Sequence, residues 1–179
     1  MLLTQVETEE LARRILALSD AEGCTVGLDG HESDNFRFAS RGGATNGTTA
    51  GGRLTVTSSF GQRQGRATTN LFDERALRDV VARSEVAARS APDNVEVMPP
   101  LGPQNYGMSA AYFETAAALR GGALAGLLDP AVLSAKRAGL DLAAFVQAGR
   151  WWRAFATSRG ALGYDRATGI QLQPVRRRR

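Results

Sequence analysis

The chain has 179 residues, 43% hydrophobic and 22% charged, the composition of an ordinary globular protein with room for one large domain or two small ones. A lone cysteine, Cys24, excludes an intrachain disulfide, and the lack of any run of about 18 apolar residues excludes a membrane-spanning helix. The net charge of +4 matches the four arginines of the last four positions, Arg176 to Arg179, so the rest of the chain is near neutral. A nucleic-acid face would need clustered basic side chains with aromatic or polar readers beside them, and only the tail is basic; nucleic acid is therefore not the expected partner.

Met1 to Gln5 lacks the basic start of a secretory signal, and Glu7, Glu9 and Glu10 follow at once, so the cytoplasm is the expected location. Thr4-Gln5-Val6-Glu7 has capping-box spacing, and Leu11, Ile15 and Leu18 form the apolar stripe of a first helix that Gly23 is expected to end. Short strands are expected at Cys24–Leu28 and Asn35–Ala39, separated by a turn over Asp29–Asp34. Arg41–Gly47 and Ala50-Gly51-Gly52 read as turns. Arg53–Phe60 alternates as a strand, Gly61–Gln64 reads as a hairpin loop, and Arg66–Asn70 as the returning strand, antiparallel because the loop is too short for a crossover.

A second helix is expected over Glu74–Arg89, with Asp73 as N-cap and Ala91-Pro92-Asp93 as its stop. The prolines and glycine of Val95–Tyr106 make an extended boundary. Beyond it, Phe113–Ala138 is Ala-rich and helical, broken at Gly121-Gly122 and at Asp129-Pro130, where Asp129 would cap a helix with Pro130 at its first position. Strand-like pieces follow at Leu142–Gln147, Trp152–Thr157 and Ile170–Val175, with a turn at Ser158-Arg159-Gly160. The expected class is α+β: a two-layer sandwich of an antiparallel sheet with helices on one face, followed by an incomplete second α/β unit. The expected division is an amino-terminal α/β domain over 1–97, a Pro-rich linker over 98–108, the start of a second domain over 109–175, and a basic tail over 176–179.

Candidate chemistry is sparse. A catalytic zinc needs three protein ligands and an open position, and the only histidine is His31. His31-Glu32 would require a second histidine at 35 or 36, where Asn35 and Phe36 stand, so His31 reads as an exposed loop residue. Glu32 and Asp34 read as a solvated turn in preference to a cation site. Cys24 reads as a small core residue at a strand start, without a base to activate it. Gly42-Gly43 and Gly61 to Gly65 are turn punctuation with no P-loop lysine, and Ser158-Arg159-Gly160 is no nucleophile elbow. Trp151, Trp152 and Phe155 read as core or interface packing, and Arg176–Arg179 as a solvated, disordered end.

Several pieces in order resemble one family. They are Asn35-Phe36-Arg37-Phe38-Ala39, Leu54-Thr55-Val56-Thr57, the run Gly61-Gln62-Arg63-Gln64-Gly65-Arg66-Ala67-Thr68-Thr69-Asn70, and Met98-Pro99-Pro100-Leu101-Gly102-Pro103-Gln104-Asn105-Tyr106. With the Ser158-Arg159-Gly160 to Thr168-Gly169 stretch, they are similar to the amino-terminal part of the TldD/PmbA proteins, also called the modulator-of-DNA-gyrase family.

The resemblance implies an α/β unit that helps build a chamber and a subunit contact. In the complete family member a carboxyl-terminal domain carries an HExxxH zinc motif and the pair of subunits cleaves unfolded peptides; the PmbA type lacks a working zinc site. For this chain the resemblance implies a non-catalytic scaffold, with no residue assigned to catalysis, cofactor or metal. Zinc is expected in the complete member or partner subunit, and the partner is a TldD/PmbA-type subunit in a homo- or hetero-oligomer, with a peptide as the substrate of the complex and no membrane contact. The alternative left open is a stand-alone α/β module that binds protein or nucleic acid through Arg-rich and aromatic surfaces.

Overall fold

The computed structural model describes residues 3–40, 42–107 and 109–178, with backbone alone for 176–178. In chain order its elements are α1 (Gln5–Leu16), β1 (Gly23–Ala39), β2 (Gly43–Phe60), β3 (Arg63–Thr69), α2 (Glu74–Ser90), α3 (Glu114–Ala117), α4 (Gly121–Gly126), α5 (Asp129–Arg137), β4 (Leu140–Thr157) and β5 (Leu162–Arg178). The strands form one five-stranded antiparallel sheet in the order β3-β2-β1-β4-β5, with helices on one face. The α+β class expected from the sequence is the observed one.

The first compact unit comprises residues 1–30, 51–108 and 152–165. Its first helix starts as its sequence dictates. The Thr4 hydroxyl accepts from the Glu7 N–H at 3.3 Å, and the Glu7 carboxylate accepts from the Thr4 N–H at 2.8 Å, a complete capping box. These bonds from Thr4, the backbone one foremost, hold the Glu7 carboxyl below its ordinary range. The helix ends at Leu16, earlier than Gly23, which instead opens β1. Buried Glu85 of α2 fixes the connection: its carboxylate accepts from the Ser19 hydroxyl and the Asp20 N–H, both at 2.8 Å. Burial of this carboxylate is offset by those two bonds and by Arg89, 3.8 Å from its other oxygen.

The core of this unit joins Ala12 and Ile15 of α1, Cys24, Val26 and Leu28 of β1, Leu54 and Val56 of β2, Leu77, Val80 and Val81 of α2, and Trp152 of β4. Asp73 caps α2 through a bond from Ala76 N–H at 3.0 Å. The β2–β3 register runs from Leu54 opposite Thr69 to Phe60 opposite Arg63, so the hairpin loop is Gly61-Gln62 alone. Where α2 crosses β3, Gly65 leaves no room for a side chain: a Cβ there would overlap the backbone nitrogen of Ala88 and lie 2.5 Å from the Ser84 carbonyl oxygen. The extended 98–107 segment belongs to this unit, and the Thr157 hydroxyl donates to the Leu101 carbonyl at 2.6 Å.

The second compact unit comprises residues 31–50, 109–151 and 166–179. Its core is Leu124, Leu128, Ala135, Leu142, Ala144, Val146 and Ala148, with Phe36 and Phe38 of β1 packed against them. Both units thus draw residues from before and after 98–108, because the long strands, and not stretches of sequence, are divided between them. Asp29–Asp34, expected as a turn, is the middle of β1, and of the turns expected at Arg41–Gly47 and Ala50-Gly51-Gly52, everything from Gly43 on lies in the first part of β2. The start of β2 is exposed on both faces up to Ala50, so cross-strand pairing and not burial overrides there the local preference of Gly and Asn for turns. The strand-like pieces after 140 likewise merge into β4 and β5. Asp129 is the first residue of α5, not its cap; Leu128 stands at the cap position. β5 reaches Arg178, so an extended backbone replaces the disordered end expected for 176–178, while Arg179 lies outside the described residues.

Gly65→Ala should destabilise the protein by about 3 kcal/mol, since a backbone overlap cannot be relieved by a rotamer. Leu77→Ala, which empties a core site, should cost about 2–5 kcal/mol. Urea denaturation monitored by circular dichroism reads both; an unchanged midpoint for Gly65→Ala would show that α2 does not press on β3.

Candidate functional site

In the second unit the strand that carries His31 places its neighbours on opposite faces. His31 is exposed on the open face, while Glu32 and Asp34 turn toward the helical side, where Asp34 is buried. The expectation of a solvated turn holding Glu32 and Asp34 is therefore corrected. Both carboxylates are gripped by two arginines that lie far away in sequence. Arg120, just before α4, donates to Asp34 through one guanidinium nitrogen and to Glu32 through the other at 3.3 Å. Arg150 of β4 donates to the same Glu32 oxygen at 2.5 Å and to the Ala117 carbonyl at 3.0 Å. The Thr48 hydroxyl of β2 adds a bond to Asp34 at 2.6 Å.

Two carboxylates and two guanidiniums balance in charge, and the forked guanidiniums tie the end of α3 and the start of α4 to β1 and β4. Asp34 accepts on both of its carboxylate oxygens and Glu32 accepts twice on one, and an arginine does not exchange protons at ordinary pH. Sequence reading singled out the acids but not their partners, because nothing local links position 34 to position 120.

The other residues of chemical interest stay apart. Cys24 sits in the core of the first unit, as its sequence position suggests. Burial pushes its thiol up; the Ser19 and Ser58 hydroxyls oppose this, and the Glu85 charge reinforces it. Trp152 is buried in the first unit, whereas Trp151, on the opposite face of the same strand, is 45% exposed. Phe155 is half-buried and meets Tyr106 edge-on at 5.6 Å between ring centres. No group of three or more His, Cys, Asp or Glu side chains converges among the described residues. This donor set does not fit a zinc ion, which needs three ligands on one point. A cleft of about 170 Å³ between α5 and Pro174 is lined mainly by alanine and leucine, is smaller than an ordinary small-molecule site, and lacks convergent charged groups. No helix among the described residues is long and apolar enough to cross a membrane.

Among the described residues the arrangement is an α+β fold with paired internal charges. No protein-family model matches the sequence, and no curated protein matches it significantly. Solved structures do share its fold. TldE from Thermococcus kodakarensis superposes with a TM-score of 0.78 at 12% identity, covering 96% of this chain and 39% of that one. A proposed modulator of DNA gyrase from Bacteroides thetaiotaomicron gives 0.81 at 14% identity, over 97% of this chain and 41% of its own. A second such protein, from Thermotoga maritima, gives 0.79 at 11% identity, over 94% and 41%. The chain thus spans about two fifths of the length of each structure it matches.

Arg120→Ala should lower stability by about 2 kcal/mol, because it leaves buried Asp34 with the Thr48 hydroxyl and no cation, while Glu32 keeps Arg150. Thermal unfolding checks this, and Asp34→Asn should recover part of the loss in the Arg120→Ala background. Cys24 gives a pH signature. Its folded thiol ionises above the unfolded one, so its contribution is complete below the usual thiol range and falls as pH rises through it. Thiol-reactive dye should accordingly label Cys24 only on unfolding; rapid labelling of the native protein would contradict its burial.

Proposed function

We propose that this chain is the α+β part of a TldD/PmbA-type protein and serves as scaffold and subunit contact in a cytoplasmic zinc-dependent peptidase assembly, without catalysing the reaction itself. The observation that carries this reading is the fold match over nearly the whole chain to TldE and to two proposed gyrase modulators. Hydrolysis of a peptide bond at a zinc site requires a polarised carbonyl and an activated water. Neither role has a candidate among the described residues, so both fall to a partner subunit or to the part of the matched structures that lies beyond this chain's span.

In this role the chain contributes rigidity. The Glu32–Asp34–Arg120–Arg150 cluster fixes the helices of the second unit against its strands, and the Glu85 bonds fix α1 in the first. The substrate of the assembly is an unfolded peptide, and the partner is a second subunit of TldD/PmbA type.

The test is reconstitution. Mixed with a zinc-containing TldD-type subunit, the chain should co-elute in size-exclusion chromatography, with zinc on the partner alone. Peptide cleavage should appear only with the partner present and stop on adding a chelator. Chelator-sensitive cleavage by the purified chain alone would sink the proposal, as would failure of the two to associate.

A further inference from the structure

The open face of the second unit has an organisation that composition does not reveal. Ser40 N–H donates to the Leu142 carbonyl, and the strands continue in that register. Arg37 therefore stands against Phe145, with its guanidinium 5.4 Å from the ring centre, and a Cβ on Gly149 would lie 3.3 Å from that of Ser33. Two more rows follow from the alternation: Asn35 beside Gln147, and His31 beside Trp151. None of these positions carries a carboxylate. The acids of this part of β1, Glu32 and Asp34, fall on the other face and are consumed by Arg120 and Arg150.

At one end of this surface lies Trp151. Its ring rests over two glycines: a Cβ on Gly169 would come within 2.8 Å of the indole, and one on Gly149 within 3.4 Å. Bare backbone beneath it lets the ring lie low on the sheet, and it remains 45% exposed. At the other end Phe145 carries a cation on its face. Between them run the side-chain amides of Asn35 and Gln147, while the Ser33 hydroxyl is buried and shared with Thr49. An exposed indole on an antiparallel sheet, beside side-chain amides and a guanidinium, provides stacking for a base, hydrogen bonds for base edges and positive charge for phosphates.

We infer that this face binds single-stranded nucleic acid, with Trp151 as the principal stacking residue and Arg37 as a phosphate contact. The carboxylate-free rows supply the charge complementarity: a polyanion meets no repulsion there, and a cationic partner meets no attraction. The inference is independent of the scaffold role, which requires no nucleic acid.

Trp151 is also the reporter, because the second tryptophan, Trp152, is 3% exposed and shielded in the first unit's core. Titration of the full chain with oligothymidylate and oligouridylate at low salt should quench the tryptophan emission saturably, and log affinity should fall linearly with log salt. Trp151→Ala should weaken binding about ten-fold or more, whereas Trp151→Phe should bind with the quench lost. Arg37→Gln should lower the salt slope by about one. Circular dichroism confirms that each variant is folded, and the conservative Phe variant keeps the test valid should the Ala variant not be. Binding that is absent at low salt, that survives Trp151→Ala undiminished, that disappears only on removing Arg176–Arg179, or that is matched by a neutral oligosaccharide or an unfolded peptide overturns the inference.

Discussion

The unbroken alternation of β1 is the constraint from which the other features follow. Over Gly23–Ala39 the strand keeps a period of two, so one set of side chains serves the helical side throughout. Cys24, Val26 and Leu28 enter the core of the first unit, and Phe36 and Phe38 pack on that of the second. A slip of one residue would exchange these with their strand neighbours, Thr25, Gly27 and Arg37 among them, exposing the core set and burying a guanidinium. The same alternation sends Glu32 and Asp34 toward Arg120 and Arg150 while leaving His31, Asn35 and Arg37 outward. Cores, ion cluster and open face are three consequences of one register.

The charge cluster shows how such a register is held in a stretch with few large apolar residues. Between Leu28 and Phe36, β1 reads Asp-Gly-His-Glu-Ser-Asp-Asn, a sequence with little strand propensity. Guanidinium forks and the Thr48 hydroxyl supply there what hydrophobic contacts supply elsewhere. Ser33 and Thr49 share a further hydrogen bond of 2.8 Å on the other face. Polar pairs of this kind discriminate between registers more sharply than they add stability, since a shifted strand would leave each carboxylate without its arginine.

Much of the first unit was legible because its signals are local. The Thr4 capping box, the Asp73 cap, the alternation of Leu54 and Val56, and the turn before Arg63 each depend on residues a few positions apart. The middle of β1 and the start of β2 were not legible. Gly, Asn and Asp there carry turn preferences, and only pairing with β4 and with each other makes them strand. The compact units were hidden for the same reason: the prolines near position 100 mark a change of direction along the chain, whereas the division in space runs across the strands. At the candidate site the acids were visible and their partners were not, because a contact between Asp34 and Arg120 leaves no trace in sequence spacing. The absence of a second ligand beside His31 was readable from sequence at once.

The central position of β1 and β4 bears on how the chain assembles. Cys24 N–H reaches the Ser158 hydroxyl across 134 positions, and Ser40 reaches Leu142 across 102. By contrast β1, β2 and β3 are successive hairpins, and β4 and β5 form another. Closing a long loop costs more entropy than closing a short one, so hairpins precede the seam that joins them. The sheet is thus two meanders that must find each other late, through their innermost strands. Until they do, each shows solvent a long unpaired edge, the kind of surface that captures strands from neighbouring chains. In kinetic terms, substitutions along that seam would act on the unfolding rate far more than on the folding rate, and a folding-rate effect as large as the equilibrium one would place the seam in the nucleus instead.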